Sequence, residues 1–309
     1  MHRIAVNRTM AIGLAAVAGL ALSACGSSGG KSNNPLSSGG SKKSVVVGSA
    51  NFPEDELLAT IYAQALQAKG IKVTTKLNIG AREVYYPQVK SGAITIIPEY
   101  NGALLTTSVS PSSTAASTAQ VDAALKAGLP STLEILNPSA AQDADSVTVT
   151  AAFAKKYHLT SIPQLKPIAK NMVFGGPPEF KTRADGIPGL KKNYGLVFKN
   201  FKRTDESSTV TFTDLMNGTV QAADVFTTSP QIITDHFVVL TDPKNNFAAQ
   251  NVLPLVYKPG VDAKITGVLN AISARLTTTA LLQMDSALVV QHASYAQVAT
   301  GFLKAVGLG

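Results

Sequence analysis

The residue types that most often carry catalysis or bind metal ions are few and scattered in this chain. The four histidines, at positions 2, 158, 236 and 292, include no pair at the spacing of metal ligands. The G-x-S-x-G, H-E-x-x-H and G-x-G-x-x-G motifs are also missing from the sequence. His158 follows Lys155-Lys156-Tyr157, which predicts a solvated helix end rather than a catalytic base. We therefore predict no catalytic residue, no bound metal and no cofactor.

The clustered acidic residues have structural explanations. Glu54, Asp55 and Glu56 fall in the first turn of a predicted helix, where carboxylates interact favourably with the helix dipole. Asp143 and Asp145 lie in a predicted loop, as do Asp205 and Glu206, and both settings are typical of turn and capping acids. We predict these roles for them rather than acid–base chemistry.

The first 25 residues have the layout of an export signal. Residues 1–9 contain two arginines and no acid, and residues 10–22 form an apolar run of 13 residues. This run is too short to span a bilayer, which requires about 20 residues. The run ends in Leu22-Ser23-Ala24-Cys25, which resembles the lipobox of bacterial lipoproteins. The resemblance implies a signal peptide over 1–24 and a diacylglycerol on Cys25. The alternative is an ordinary secretory signal with a chance cysteine.

A flexible tether and the export signal account for most of the positive charge. Eleven of the 18 residues in 26–43 are glycine or serine, which is typical of a flexible linker. The 309-residue chain carries a formal charge of +8, but five of its 27 basic residues precede residue 44, whereas all 19 acids follow it. The remaining body has only a small basic excess, so we predict that it does not bind nucleic acid.

The body from residue 44 onward alternates between strand and helix patterns. Short apolar runs such as 45–47 and 94–97 bracket amphipathic segments, and the tail from about 262 to 305 is predicted to be almost all helix. This alternation predicts an α/β protein with parallel strands covered by helices, and ligands at the carboxyl ends of those strands. We predict two lobes with a ligand cleft between them: lobe I over 44–147 plus 253–309, and lobe II over 148–252.

Five stretches, in order along the chain, resemble glycine betaine/choline-binding proteins of osmoprotectant ABC importers. They are Val47–Glu54 (VGSANFPE), Gly92–Gly102 (GAITIIPEYNG), Pro178–Leu190 (PEFKTRADGIPGL), Met216–Thr228 and Leu240–Val256. The resemblance covers about 44–309. It implies the two-lobed type II periplasmic-binding-protein fold, a cage of aromatic rings around a quaternary ammonium group, and a monomer. It also implies delivery of the solute to a separate permease and ATPase on the outer face of the cytoplasmic membrane.

Only part of the family's aromatic cage is present. Tyr100 matches a cage tyrosine, and Phe226 stands where the family has another. Val147 and Gln250 stand where the family has two further tyrosines, and Ala103 replaces a polar threonine. Each ring contributes roughly 0.5–2 kcal/mol by cation–π attraction. Losing two rings predicts binding of glycine betaine or choline that is about ten- to several-hundredfold weaker.

The same motifs supply the remaining candidate ligand contacts. Asn51 and Phe52 lie in the first motif, and Thr228 ends the fourth. Arg183 is preserved in the third motif and is the candidate for an anionic group of the ligand, the alternative being an interlobe or surface ion pair.

We therefore predict a lipid-anchored solute-binding protein of an ABC importer. One alternative is a sensor lipoprotein for another small polar ligand that is not coupled to transport. Another is a surface enzyme on the same fold, which would need a nucleophile–base pair that the sequence does not reveal.

Overall fold

The computed structural model describes residues 44–205 and 209–309, which form two α/β lobes. The predicted signal peptide, Cys25, the tether and Glu206 lie outside the described residues. We use "lobe I" and "lobe II" for the two sheets and the helices that flank them.

The chain builds most of lobe I, crosses to lobe II, and returns. The first part of lobe I contains β1 (Val45–Gly48), α1 (Pro53–Ala68), β2 (Val73–Lys76), α2 (Arg82–Lys90), β3 (Ile96–Tyr100), α3 (Asn101–Leu104), α4 (Thr118–Gly128) and β4 (Leu133–Ile135). Lobe II contains β5 (Val147–Thr150), α5 (Ala151–Tyr157), β6 (Val173–Gly176), α6 (Ile187–Tyr194), β7 (Asn200–Arg203), α7 (Thr209–Met216), β8 (Ala222–Asp224), α8 (Gln231–Thr234) and β9 (Phe237–Val239). Lobe I is completed by β10 (Val252–Tyr257), α9 (Ala263–Ser273), α10 (Thr278–Val289) and α11 (Tyr295–Ala305).

Each lobe contains one five-stranded mixed sheet. The strand orders are β2-β1-β3-β10-β4 in lobe I and β7-β6-β8-β5-β9 in lobe II. The predicted parallel pairing is confirmed for β1 with β2 and β3, but β10 runs antiparallel to β3 and β4, and β5 runs antiparallel to β8 and β9. The antiparallel strands, β5 and β10, are the first strands after each crossing, and each begins at the cleft, where β1, β3, β6 and β8 end.

The sequence patterns did not predict six elements, namely β4, β7, α3, α4, α6 and α8. β4 has three residues, and β7 is a half-exposed strand at the edge of its sheet, so neither carries an apolar run long enough to detect. α6 begins with Ile187-Pro188-Gly189, a poor helix-forming sequence. His158 ends α5 in a left-handed conformation (φ 53°) and is exposed, as predicted for a helix end.

The chain crosses between the lobes twice, just before β5 and just before β10. These two crossing segments pair with each other. Gln142 forms a β-bridge with Asn251, and Asp143 N–H donates to the Gln250 carbonyl. The lobe II sheet begins at Val147 and the last lobe I strand begins at Val252, whereas the predicted division placed Val147 in lobe I and residue 252 in lobe II. The predicted bounds of the two lobes otherwise remain a prediction.

Helix α1 is the central helix of lobe I. One face of α1 carries apolar residues at helical spacing and is buried, since five of them are at most 1% exposed, namely Leu57, Leu58, Ile61, Ala65 and Leu66. This face packs into a core with side chains of β1, β3, α9, α10 and α11, which anchors the start of α1 beside the carboxyl ends of the strands.

Within the described residues, no single helix is long and apolar enough to cross a membrane. The pair α9 and α10 passes that test only when taken together, with a bend of 88° between its halves.

Candidate functional site

A cleft between the lobes lies where strands β1, β3, β6 and β8 end. It contains about 520 Å³ of empty space, including its mouth. Both lobes and both crossing segments contribute side chains, as expected for a site at the carboxyl ends of strands. The lining residues are Ala50, Phe52, Ala81, Arg82, Tyr85, Tyr100, Ala103, Asp143, Asp145, Pro177, Arg183, Phe226 and Gln250.

Three aromatic rings form a row across the cleft. The ring centroid of Phe52 lies 5.9 Å from that of Tyr100 and 5.1 Å from that of Phe226. Phe52 and Tyr100 belong to lobe I and Phe226 to lobe II, so the row joins the lobes. Such a row offers ring faces and edges to a cation or an apolar group.

Gln250 makes a polar contact at one wall of the cleft. It is 2% exposed, and its Oε1 accepts a hydrogen bond from the Ala103 backbone N–H at 2.9 Å. This bond fixes the orientation of the amide, and Nε2 has no hydrogen-bond partner among the described residues. The glutamine therefore presents a donor at the cleft rather than the ring that the resemblance implies at this position.

Six of the nine predicted ligand contacts line the cleft: Phe52, Tyr100, Ala103, Arg183, Phe226 and Gln250. Thr228 is buried and lines an adjoining pocket of about 340 Å³, which shares Phe52 and Phe226 with the cleft. Asn51 is exposed and lines neither pocket. Val147 is fully buried in the lobe II core and does not line the cleft. The reason is that alternate residues of a strand point to opposite faces of the sheet.

A buried ion pair supports the lobe I wall. Arg82 donates from Nε and Nη2 to the carboxylate of Glu99 at 2.9–3.1 Å, and the Tyr85 hydroxyl donates to Glu99 Oε1 at 2.8 Å. Glu99 is fully buried and Arg82 is 7% exposed. The positive charge of Arg82 is thus committed to Glu99, although the guanidinium lines the cleft.

Arg183 bridges the two lobes. Its Nε and Nη2 donate to the two carboxylate oxygens of Glu83 in α2, both at 3.1 Å. Burial raises the pKa of the Glu83 carboxyl, but the hydrogen bond and charge of Arg183 outweigh burial, so that pKa is lowered. The Thr106 hydroxyl makes a second bridge by donating to Asp185 Oδ2 at 2.7 Å. The interlobe ion pair, which was the alternative considered for Arg183, is the contact present.

Glu54 is a buried acid, not merely a helix-dipole group. It lies in the first turn of α1 as predicted, but it is 5% exposed and lies within hydrogen-bond reach of Asp285 on α10, which is also 5% exposed. The Tyr100 hydroxyl donates to Glu54 Oε1 at 2.5 Å, whereas Glu54 Oε2 and Asp285 Oδ2 have no donor among the described residues. Burial, followed by the charge of Asp285, raises the pKa of Glu54, and burial raises the pKa of Asp285 to about 7. A proton shared by the two carboxyls satisfies both oxygens.

Asp143 and Asp145 lie in a loop as predicted, but they also line the cleft. Asp143 is 5% exposed, and its Oδ1 accepts from Thr228 N–H at 3.0 Å and from the Thr227 hydroxyl at 3.2 Å. Burial, and then the charge of Glu54, raises the pKa of Asp143. Burial, and then the charge of Asp185, raises the pKa of Asp145 to about 6.

The chemistry that these groups offer is binding. Rings, carboxylates and one amide donor surround the cleft, an arrangement that holds a small polar or cationic solute. Across 44–205 and 209–309, no group of three or more His, Cys, Asp or Glu side chains is placed to hold a metal ion.

Comparisons with known proteins agree in fold and family. The family model for the substrate binding domain of ABC-type glycine betaine transport systems matches residues 43–305. A glycine-betaine-binding protein of Pseudomonas aeruginosa is 23% identical over 275 residues, which cover 84% of this chain and 86% of that protein.

Two solved structures share the fold. A glycine betaine/carnitine/choline ABC transporter structure matches with a TM-score of 0.66 at 19% identity, over 85% of this chain and 99% of its own. The lactococcal OpuAC, in a closed complex with glycine betaine, matches with a TM-score of 0.58 at 15% identity, over 85% of this chain and 96% of its own.

The Glu54–Asp285 pair predicts a pH dependence of stability. Because the pKa of Asp285 is raised to about 7, its stabilising contribution is complete at acidic pH and is lost as the pH rises towards 7. Asp285→Asn should remove this loss. From pH 5 to pH 8, the free energy of unfolding of the variant should therefore rise by roughly 1–3 kcal/mol relative to that of wild type. Urea unfolding at both pH values measures the change. The exposed Asp235→Asn is the matched control, and an equal pH response of wild type and Asp285→Asn would contradict the shared proton.

The Arg183–Glu83 bridge predicts that closure of the lobes depends on salt. Glu83→Gln should destabilise the closed arrangement by about 0.2–1 kcal/mol, because Glu83 is half exposed and screened by solvent. Small-angle X-ray scattering of the ligand-free protein should give a larger radius of gyration for the variant at low salt, with no difference at about 1 M salt. Glu134→Gln, an exposed change on β4, is the control. If Glu83→Gln leaves the radius of gyration unchanged at low salt, this ion pair does not hold the lobes together.

Proposed function

Because this chain belongs to the family of substrate-binding domains of ABC-type glycine betaine transport systems, we propose that it is a lipid-anchored receptor that captures a small polar solute and delivers it to a permease. The observation that carries this proposal is the interlobe cleft with its row of three rings. Two lobes that close over a solute present a surface that a permease can distinguish from the open form. The permease and the ATPase are separate chains, and the receptor acts as a monomer.

The proposed ligand contacts are the cleft-lining residues Phe52, Tyr100, Phe226, Ala103 and Gln250. The three rings attract a positive charge, and their position between the lobes lets a bound solute draw the lobes together. Arg183 acts in closure rather than in holding an anionic group, since a ligand carboxylate would have to displace Glu83 from it. Thr228 supports the site from the adjoining pocket by donating its N–H to Asp143.

Cys25 is the proposed lipid anchor, with residues 1–24 removed on export and 26–43 as a flexible tether. The lipobox-like sequence and the position of this single cysteine support the proposal. Each buried lipid methylene contributes about 0.8 kcal/mol, so several acyl chains would hold the receptor at the outer face of the cytoplasmic membrane.

Replacement of Cys25 tests the anchor. Cys25→Ser should abolish incorporation of labelled fatty acid and move the protein from the membrane fraction to the soluble fraction. Ser28→Ala, in the tether, is the control and should change neither. If Cys25→Ser retains the label, the lipid is attached to another residue and the proposal is wrong.

Replacement of Tyr100 tests the binding function. Mass spectrometry of natively purified protein identifies the co-purified solute, and calorimetry then compares variants with that solute. Tyr100→Ala should weaken binding roughly 2- to 30-fold through loss of one ring. Tyr100→Phe, which keeps the ring and removes the hydroxyl, should bind more tightly than Tyr100→Ala.

Tyr157→Ala, which removes an exposed ring outside the cleft, should leave affinity unchanged. If Tyr100→Ala, when folded, binds the identified solute as tightly as wild type, the assignment of the cleft is wrong.

A further inference from the structure

The charged side chains of the cleft are unbalanced. Four charged residues line it, namely Arg82, Arg183, Asp143 and Asp145. Both arginines are already engaged in the protein, Arg82 with Glu99 and Arg183 with Glu83. The two aspartates form no ion pair among the described residues, although the charges of Arg183 and Arg82 act on Asp145. Burial raises the pKa of both carboxyls, so a cation bound beside them would favour their ionised forms.

The two aspartates are placed to accept hydrogen bonds. Asp143 Oδ1 accepts from Thr228 N–H and the Thr227 hydroxyl, and the Thr228 hydroxyl also lies within hydrogen-bond reach of this carboxyl. The carboxyl also lines the cleft, where it can accept from a ligand. Asp145 is half-buried in the cleft wall and lies within hydrogen-bond reach of another carboxyl, that of Asp224. Carboxylates in such a partly dry site gain most from a cation that carries N–H groups, because charge-assisted hydrogen bonds add to the attraction between charges.

Gln250 adds an independent observation. It is 2% exposed and lines the same cleft, and its amide orientation is fixed by the bond from Ala103 N–H to Oε1. The Nε2 donor is left without a partner in the described structure. This donor is open to the cleft and is available to an acceptor on the ligand.

We propose that the cleft recognises a small protonated amine that carries a hydroxyl group and no carboxylate. The ammonium N–H groups donate to Asp143 and Asp145 beside the rings, and the hydroxyl oxygen accepts from Gln250 Nε2. This inference rests on the proposed solute-binding function and narrows its ligand.

The alternatives fit the same groups less well. A trimethylammonium group has no N–H and cannot satisfy the aspartates, so it relies on the rings alone. The carboxylate of a zwitterion finds both arginines occupied and two aspartates nearby, and like charges in a partly buried site repel.

A methylation series separates these possibilities. Calorimetry of the purified full chain at pH 7.5 would use ethanolamine, N-methylethanolamine, N,N-dimethylethanolamine and choline as probes. All four are hydroxyl-bearing cations, and each added methyl replaces one N–H. The dissociation constant should rise along the series, at least about tenfold from ethanolamine to choline. Glycine betaine, which replaces the hydroxymethyl group of choline by a carboxylate, should bind more weakly than choline.

Variants connect the series to the aspartates. Asp145→Asn and Asp143→Asn should each weaken ethanolamine binding about tenfold or more and should change choline binding less. The exposed Asp235→Asn should change neither. Circular dichroism and the unfolding temperature verify that each variant is folded. Because the two aspartates are replaced separately, the test still works if one of the variants does not fold.

Three results would overturn the inference: choline as the tightest probe, glycine betaine tighter than choline, or folded Asp143→Asn and Asp145→Asn that both keep wild-type affinity for ethanolamine. Binding by none of the five probes would also contradict it. The proposed function would survive that result if Tyr100→Ala lost affinity for the co-purified solute, so the two failures are distinguishable.

Discussion

The cleft depends on the buried carboxylate of Glu99. A fully buried carboxylate is tolerated only when it is paired and hydrogen-bonded, and Glu99 accepts from Arg82, from the Tyr85 hydroxyl and from the Tyr100 backbone N–H. Arg82 and Tyr85 both come from α2, so satisfying this one carboxylate fixes α2 against the end of β3. The next residue along the helix, Glu83, is then held at the surface within reach of Arg183 in lobe II.

Tyr100 connects this constraint to the acids beneath the cleft. Its backbone N–H donates to Glu99 and its hydroxyl donates to Glu54, which lies within hydrogen-bond reach of Asp285. Hydrogen bonds therefore fix both the backbone and the hydroxyl of Tyr100 before any solute arrives. Holding the ring in advance lowers the ordering cost of binding, since less side-chain freedom is lost when the solute enters. The same arrangement places carboxyl groups beside the rings, and a cationic solute would favour their ionised forms.

Sequence reasoning reached the parts of the structure that local patterns encode. The buried face of α1 follows from apolar residues at helical spacing. Tyr100 and Phe226 reach the cleft because they lie at or just after strand ends, and Gln250 reaches it because it precedes β10. The Glu54–Asp285 pair could not be predicted from the sequence, because the two residues belong to α1 and α10 and no local spacing relates them. Arg82 and Glu99 likewise meet only when α2 packs on β3.

The errors have equally specific causes. The strand pattern at Val147 allows either face, and a shift of one residue turns a predicted contact into a core residue. Asp143 and Asp145 lie in an irregular segment, where composition does not reveal burial. The motif around Arg183 matches the family, but the motif does not reveal that its partner is Glu83 in the other lobe. Only the folded structure shows that Arg183 forms an ion pair.

The central claim is that a cation binds between the three rings with its charge towards Asp143 and Asp145. The most direct measurement is a crystal structure of the natively purified protein with its co-purified solute. The account predicts a ligand nitrogen about 3 Å from one of these carboxylates, with Glu83 still bound to Arg183. A ligand carboxylate on Arg183 with Glu83 displaced, or a solute bound away from Phe52, Tyr100 and Phe226, would contradict it.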